Sequence, residues 1–327
     1  MHAEINAGSA RRMNFARLAS MREAGLIVII LALCVAMTFA SPHFLTWGNL
    51  RAMMMGFSIE GIVVVGMTIL LIVGGIDLSV GSVVCFSMVI SGALFLAGLD
   101  PWTASLIGIA ASALIGAIMG FFVTAVGLSH FITSLAAMVI VRGLCLIITK
   151  GTPLSLFSLP DSFKAIGQGS FHNIPYVILI FLVVVVVFDL LLRRATAFRK
   201  VFYTGSNQKA AQFSGIKTNQ VKFWVTVLCS GLAGFAGVIY MARFGAATPT
   251  FGAGMELNII AAAVIGGASL NGGSGTIFGA ILGMALLSVV TSSLILLDVS
   301  VYWQEMIKGC ILLAAVSIDH FLHRKKS

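Results

Sequence analysis

Charge is what this sequence has least of. Asp, Glu, Lys and Arg together make up 9% of its 327 residues, while 59% are hydrophobic and the mean hydropathy is +1.07. Soluble domains carry about 25% charged residues, so this chain cannot clothe a water-facing surface. That excludes a soluble enzyme or binding module and leaves a polytopic membrane protein. Apolar runs of about 20 residues span a bilayer, and the chain supplies roughly eight to ten of them.

Acidic residues are scarcer than basic ones, 11 against 20, for a net charge of +9. In a soluble protein that balance would point to nucleic acid. Here the basic residues lie between the apolar runs, where the positive-inside bias accounts for them without a polyanion partner. Paired cysteines are also missing. Cys34, Cys85, Cys145, Cys229 and Cys310 stand singly in apolar runs and read as small hydrophobes, neither disulfides nor metal ligands. The histidines offer no metal site, because His320 and His323 share a helical face beside Arg324 but have no third ligand. There is no GxSxG nucleophile turn and no GxxxxGK phosphate loop. Neither catalytic residues nor a bound cofactor are expected.

What is present has a clear order. Residues 1–24 carry Arg11, Arg12, Arg17 and Arg22 and form a cytoplasmic N-terminal segment. A signal peptide would share that basic start and the apolar core of 25–40, but the many spans that follow favour an uncleaved first span. Further spans are expected over 57–73, 83–96, 102–126, 131–148, 175–192, 223–241, 257–265, 276–297 and 306–318. Glu60 lies near the start of the second of these spans, where it can reach the interface. The loop 150–173 is nearly balanced in charge and suits the outside. The stretch 193–222 holds Arg193, Arg194, Arg199, Lys200, Lys209, Lys217 and Lys222 with no acidic residue, which marks it as cytoplasmic. A basic tail, 321–327, ends the chain inside. The expected fold is an all-α polytopic membrane helix bundle with about ten transmembrane helices over 25–320 and both termini cytoplasmic.

Two glycine-rich breaks interrupt the apolar runs. The first is Val73 to Ser82 (VGGIDLSVGS), and it carries a carboxylate at Asp77. Such a break can sit at membrane depth only where protein or a water-filled path satisfies its backbone, and a carboxylate there is a functional candidate by default. The second is Ile265 to Ser274 (IGGASLNGGS). Gly74, Gly75, Leu78, Gly81, Ser82 and Phe86 match Gly266, Gly267, Leu270, Gly273, Ser274 and Phe278 in one ungapped register. We read an internal repeat, with Ser269 standing where the first copy has Asp77; paired broken segments of this kind are where transporters place binding residues.

Four stretches together resemble one family. GGIDLSVGS (74–82), GSNQKAAQFSGI (205–216), SGLAGFAGVIYMAR (230–243) and AAAVIGGASLNGGSGTIFGAILG (261–283) look like bacterial ABC-importer permeases for monosaccharides, of the ribose, xylose, arabinose, galactose and allose type. The likeness covers essentially the whole chain. It implies an inner-membrane permease, as a homodimer or heterodimer. It further implies a periplasmic sugar-binding protein and a separate cytoplasmic ATPase with two nucleotide-binding halves, which uses the ATP. The alternative from another class is a self-sufficient transporter with Asp77, Glu60 and Arg142 as a proton relay.

The residues of 205–222 agree with a docking element. Ser206 or Asn207 can cap a short helix from Gln208, and Gly215 suits the position just past its end. Gly205, Asn207, Ala210, Ala211, Phe213 and Gly215 are the candidate ATPase-coupling residues, with the two alanines and Phe213 offering a surface for a partner's groove. Wider importer motifs place a Glu where Lys209 stands, so the likeness to them is partial. The candidate substrate-path residues are Gly74, Gly75, Asp77, Ser79, Gly81, Arg142, Asn258, Ser269 and Asn271. Asp77 either accepts bonds from sugar hydroxyls or pins the break through backbone N–H groups or a basic partner such as Arg142. Ser79, Asn258 and Asn271 are plain hydrogen-bonding groups of the kind that read sugars.

Overall fold

The computed structural model describes residues 23–324. The expected cytoplasmic segment 1–24 therefore lies almost wholly outside the described residues, as do 325–327 of the expected tail 321–327, whose first four residues belong to the last helix. The chain folds as an all-α membrane bundle. Its long helices are α1 (Glu23–Ala40), α2 (Trp47–Ile72), α3 (Val80–Leu96), α4 (Pro101–Phe121) and α5 (His130–Thr149). Then come the short α6 (Asp161–Gln168), α7 (Tyr176–Arg194), α8 (Thr196–Ser206), α9 (Gln208–Phe213) and α10 (Thr218–Phe244). The last three are α11 (Met255–Ile265), α12 (Ile277–Leu296) and α13 (Val301–Arg324). Seven of these are long and apolar enough to cross a membrane, and α3 and α11 are shorter apolar helices.

Polar caps start several helices, because the first N–H groups of a helix have no partner within it. Thr46 accepts from Asn49 N, Asp100 from Trp102 N and Thr103 N ahead of α4, Ser129 from Ile132 N, and Thr276 from Gly279 N. The helices are not equivalent. In the most apolar stretch of α2, 83% of the residues are buried, and in α10 72%, against 11% in α1 and 17% in α7. Hence α2, α3 and α10 make the centre, hydrophobic all round, with α11 also largely buried, while α1, α4, α5 and α7 have exposed apolar faces suited to lipid. The second span is longer than expected. It starts at Trp47, so Glu60 sits well inside α2 rather than at its end.

Two ends can be told apart by contact. At one, the β-bridge partners Leu154–Ser155 and Ala246–Ala247 pair antiparallel, and Gln168 Nε2 donates to the carbonyls of Ala242 and Arg243. At the other lie α8, α9 and both glycine breaks. The stretch 193–222 is not an irregular loop: it is occupied by the end of α7, by α8 and α9, and by the start of α10.

Candidate functional site

The first break spans residues 73–79. The N–H of Gly74 donates to Leu71 O and that of Gly75 to Leu70 O. This reverse turn closes a helix when the residue after the cap is left-handed, as Gly74 is with φ 85°. Asp77 is buried. Its Oδ1 accepts from the Ser79 N–H at 2.7 Å and from the Ser79 hydroxyl at 2.6 Å. Its Oδ2 is buried with no hydrogen-bond partner among the described residues. Ser134 Oγ on α5 donates to Ile76 O at 3.3 Å. The carboxylate thus folds the break onto the start of α3.

Arg142 is not the partner of Asp77. Its Nη1 donates to Pro249 O at 3.0 Å and Phe251 O at 2.6 Å, and it has no ion pair among the described residues. Those carbonyls belong to residues 248–254, which leave the β-bridge at one end and turn back into the bundle. Cys85 on α3 also faces this segment, against the carbonyls of Thr248 and Pro249. Gly81 and Gly252 touch backbone to backbone, so a Cβ on either would overlap the other. The irregular segment 248–254 from one end therefore meets the first turn of α3, just past the break from the other, inside the bundle, with protein groups on its carbonyls.

The second break, residues 266–276, opens with the same reverse turn: Gly267 N–H donates to Val264 O and Ala268 N–H to Ala263 O. Ser269 is buried, and its hydroxyl accepts from Asn271 N–H at 3.2 Å, as Asp77 does from Ser79. Asn271 itself is exposed at the tip. Gly273 N–H donates to Ile72 O at 2.8 Å, so the second break is hydrogen-bonded to the last residue of α2. Both break-bearing helices, α2 and α11, thus run toward the same end. Gly205, in the last turn of α8, closes the junction. A Cβ there would overlap Ile72 O and crowd Gly273 N, and one on Gly272 would press on Gly74 and Gly205.

Directly after this junction comes α9. Asn207, not Ser206, is its cap, accepting from Ala210 N at 3.0 Å. Gly215, at φ 80°, ends it with the N–H of Gly215 on Gln212 O and that of Ile216 on Ala211 O. Of the three expected contact residues, Phe213 is 93% exposed and Ala210 is exposed. Ala211 is 4% exposed and packs into its own chain, so it holds α9 in place rather than facing a groove.

A cavity of about 290 Å³, with polar groups set in a largely apolar wall, lies between α2, α11, α12 and α13. Its walls include Asn49, Glu60, Asn258, Ser288, Thr291 and Lys308. Only Asn258 among these was an expected path residue; Asp77 and Ser79 are sealed in protein and line no such space. The signal that could have found the others is helical spacing. Ser288 and Thr291 stand three apart on α12, and Asn49, Gly56 and Glu60 follow one face of α2.

Comparison with known proteins places the chain. The family described as "Branched-chain amino acid transport system / permease component" matches residues 49–316. The ribose import permease protein RbsC of Bacillus subtilis (strain 168) is 34% identical over 307 residues, 94% of each chain. The L-arabinose ABC transporter permease protein AraH of Azospirillum brasilense is 32% identical, covering 94% of this chain and 90% of its own. The D-allose transport system permease protein AlsC of Escherichia coli (strain K12) is 35% identical, covering 90% and 91%. No solved structure matches. With these matches running nearly end to end, the chain belongs to the bacterial monosaccharide ABC-importer permease family.

Proposed function

We propose that this chain is the membrane-spanning permease subunit of an ATP-driven monosaccharide importer in the inner membrane. It crosses the membrane ten times, through α1–α5, α7 and α10–α13, and both termini are cytoplasmic. Two lines support that sidedness. The basic stretch 193–222 carries α8 and α9 at the end where the breaks meet. Glu23, at the start of α1, accepts from Thr276 Oγ1 at 2.8 Å at that same end. The opposite end, with the β-bridge and α6, then faces the periplasmic sugar-binding protein. Two permease copies, identical or different, pair above an ATPase with two nucleotide-binding halves, and this chain itself needs no cofactor.

One observation carries the reading: a capped short helix leaves an aromatic ring bare beside α8, which touches the last residue of α2 and the second break, at the end we assign to the cytoplasm. A helix as short as α9 is marginal without caps and tertiary contacts, so its rigidity has a purpose outside its own chain. The proton-relay alternative needs Asp77 and Arg142 in one chain of groups, and they bind different partners.

Docking is tested by Phe213→Asp and Gly215→Val. The first puts a charge in the partner's groove. The second forces a β-branched residue into a left-handed backbone, at a cost of about 1–3 kcal/mol. Both variants are expected to insert normally, to co-purify with the ATPase at least tenfold less, and to lose sugar uptake. Normal co-purification and uptake in both would refute the docking role.

A further inference from the structure

The cavity between α2, α11, α12 and α13 has a chemistry of its own. Asn49 is occupied, donating through Nδ2 to Phe44 O at 2.8 Å and accepting from Ser292 Oγ at 3.1 Å. Lys308 is held by Glu305 at 2.8 Å. Four other lining groups are not engaged: Glu60, Asn258, Ser288 and Thr291 make no side-chain hydrogen bond or ion pair among the described residues. Their neighbours on α12 are engaged: Ser292 donates to Asn49, and Ser293 turns back to Val289 O at 2.7 Å. Polar groups inside a membrane bundle that decline the nearest backbone acceptor cost free energy unless something else satisfies them.

What would satisfy them is a compact neutral polyol. The unengaged set is one carboxylate, one amide and two hydroxyls, so it accepts and donates in several directions at once. A single carboxylate beside an already paired ammonium gives no surplus positive charge to hold a phosphate or carboxylate ligand. About 290 Å³ is at the bottom of the roughly 300–1,000 Å³ range of small-molecule sites, which suits one sugar ring and not two. Phe57 adds an aromatic wall, with its ring fixed edge-on against Phe181 at 5.1 Å. Rings of this kind pack against the apolar C–H face of a sugar while polar neighbours take its hydroxyls.

We infer that this cavity is an intramembrane subsite for one monosaccharide, in which Glu60 and Asn258 hydrogen-bond the sugar hydroxyls against Phe57. The inference rests on the permease reading above. It places sugar contact on α2, α11 and α12, away from the sealed carboxylate of the first break. Ser288 and Thr291 complete the polar wall. The subsite is passed through rather than occupied tightly, since a transport path must release what it takes.

The test uses the full complex of permease, ATPase and binding protein in proteoliposomes, with labelled D-ribose, L-arabinose and D-allose as probes. Glu60→Gln and Asn258→Ala are expected to lower ATP-driven uptake of the transported sugar at least tenfold, with ATPase co-purification intact as the check on folding. A second measurement needs no loss of function. Thr291→Cys, in a background without native cysteines, should react with a small methanethiosulfonate at least threefold more slowly when the transported sugar is saturating. Uptake within twofold of wild type for both cavity variants, together with labelling indifferent to sugar, overturns the subsite alone. A wild-type complex that neither binds its ATPase nor imports any pentose or hexose offered with its binding protein overturns the permease reading beneath it.

Discussion

The two glycine breaks begin alike and finish differently. Each closes its helix with the same pair of reverse hydrogen bonds, and each then turns on a side-chain oxygen that accepts the N–H two residues on. The reverse turns pair Gly74 with Gly267, whereas the side-chain turns pair Asp77 with Ser269. The ungapped sequence register therefore fits the second device and is one residue out for the first. After that the copies part. The first break enters α3 at once and lies under α5, with both Asp77 and Ser79 buried. The second runs on to residue 276, exposes Asn271 and leans on α8. One local device has thus become a sealed strut inside the bundle and an open tip at its end.

The comparison breaks most completely at the shared junction. Gly205→Val puts a branched side chain where Ile72 O and Gly273 N leave room for hydrogen alone. It should separate the two breaks, and folded protein recovered by size-exclusion chromatography in mild detergent should fall to below about a tenth of wild type. Near-normal recovery would mean that the breaks do not depend on each other.

A smaller effect sharpens the contrast between strut and tip. Bonds to charged groups contribute about 1.5–3 kcal/mol, whereas hydrogen bonds in membrane helices average nearer 0.6 kcal/mol. Asp77→Ala should therefore cost about 2 kcal/mol in reversible unfolding, and Ser269→Ala less than about 1 kcal/mol. Asp77→Asn keeps the acceptor for Ser79 and should fall between them. Equal losses at 77 and 269 would show that the carboxylate adds nothing beyond geometry. The smallest effect is expected at the exposed tip, where Asn271→Ala should change stability by no more than about 0.5 kcal/mol, as surface substitutions do. A larger loss there would make the tip part of the packed structure after all.

Much of this was legible in the chain. Asn207 and Gly215 bracket α9 because capping oxygens and left-handed glycines answer to local backbone needs, which a sequence window contains. The all-α class followed from apolar runs too long and too poor in charge for anything else. Glu60 shows where such reading stops. Counted from the apolar run at 57 it sits near an end, but Thr46 caps a helix that starts ten residues earlier in the chain, around polar Asn49 and Arg51, and this carries Glu60 into the membrane. Ala211 shows the same limit on a smaller scale: its neighbour Ala210 is exposed and it is not, a choice made by which face of α9 meets the rest of the chain.

The sequence by itself determined that this protein lives in a membrane, that its helices break twice at glycines, and that a basic, capped element lies between α7 and α10. Composition and local hydrogen-bonding needs suffice for these, because they concern residues near one another along the chain. Only the tertiary structure decided that Ile72 meets Gly273 and Gly205, that Arg142 holds residues 249–251 instead of Asp77, and that the open polar groups gather beside Asn258. Those partners are separated by long stretches of chain, and apolar helices of similar composition can pack in many orders. Close backbone approach at a few glycines, and the cost of leaving buried polar groups unpaired, select one of them.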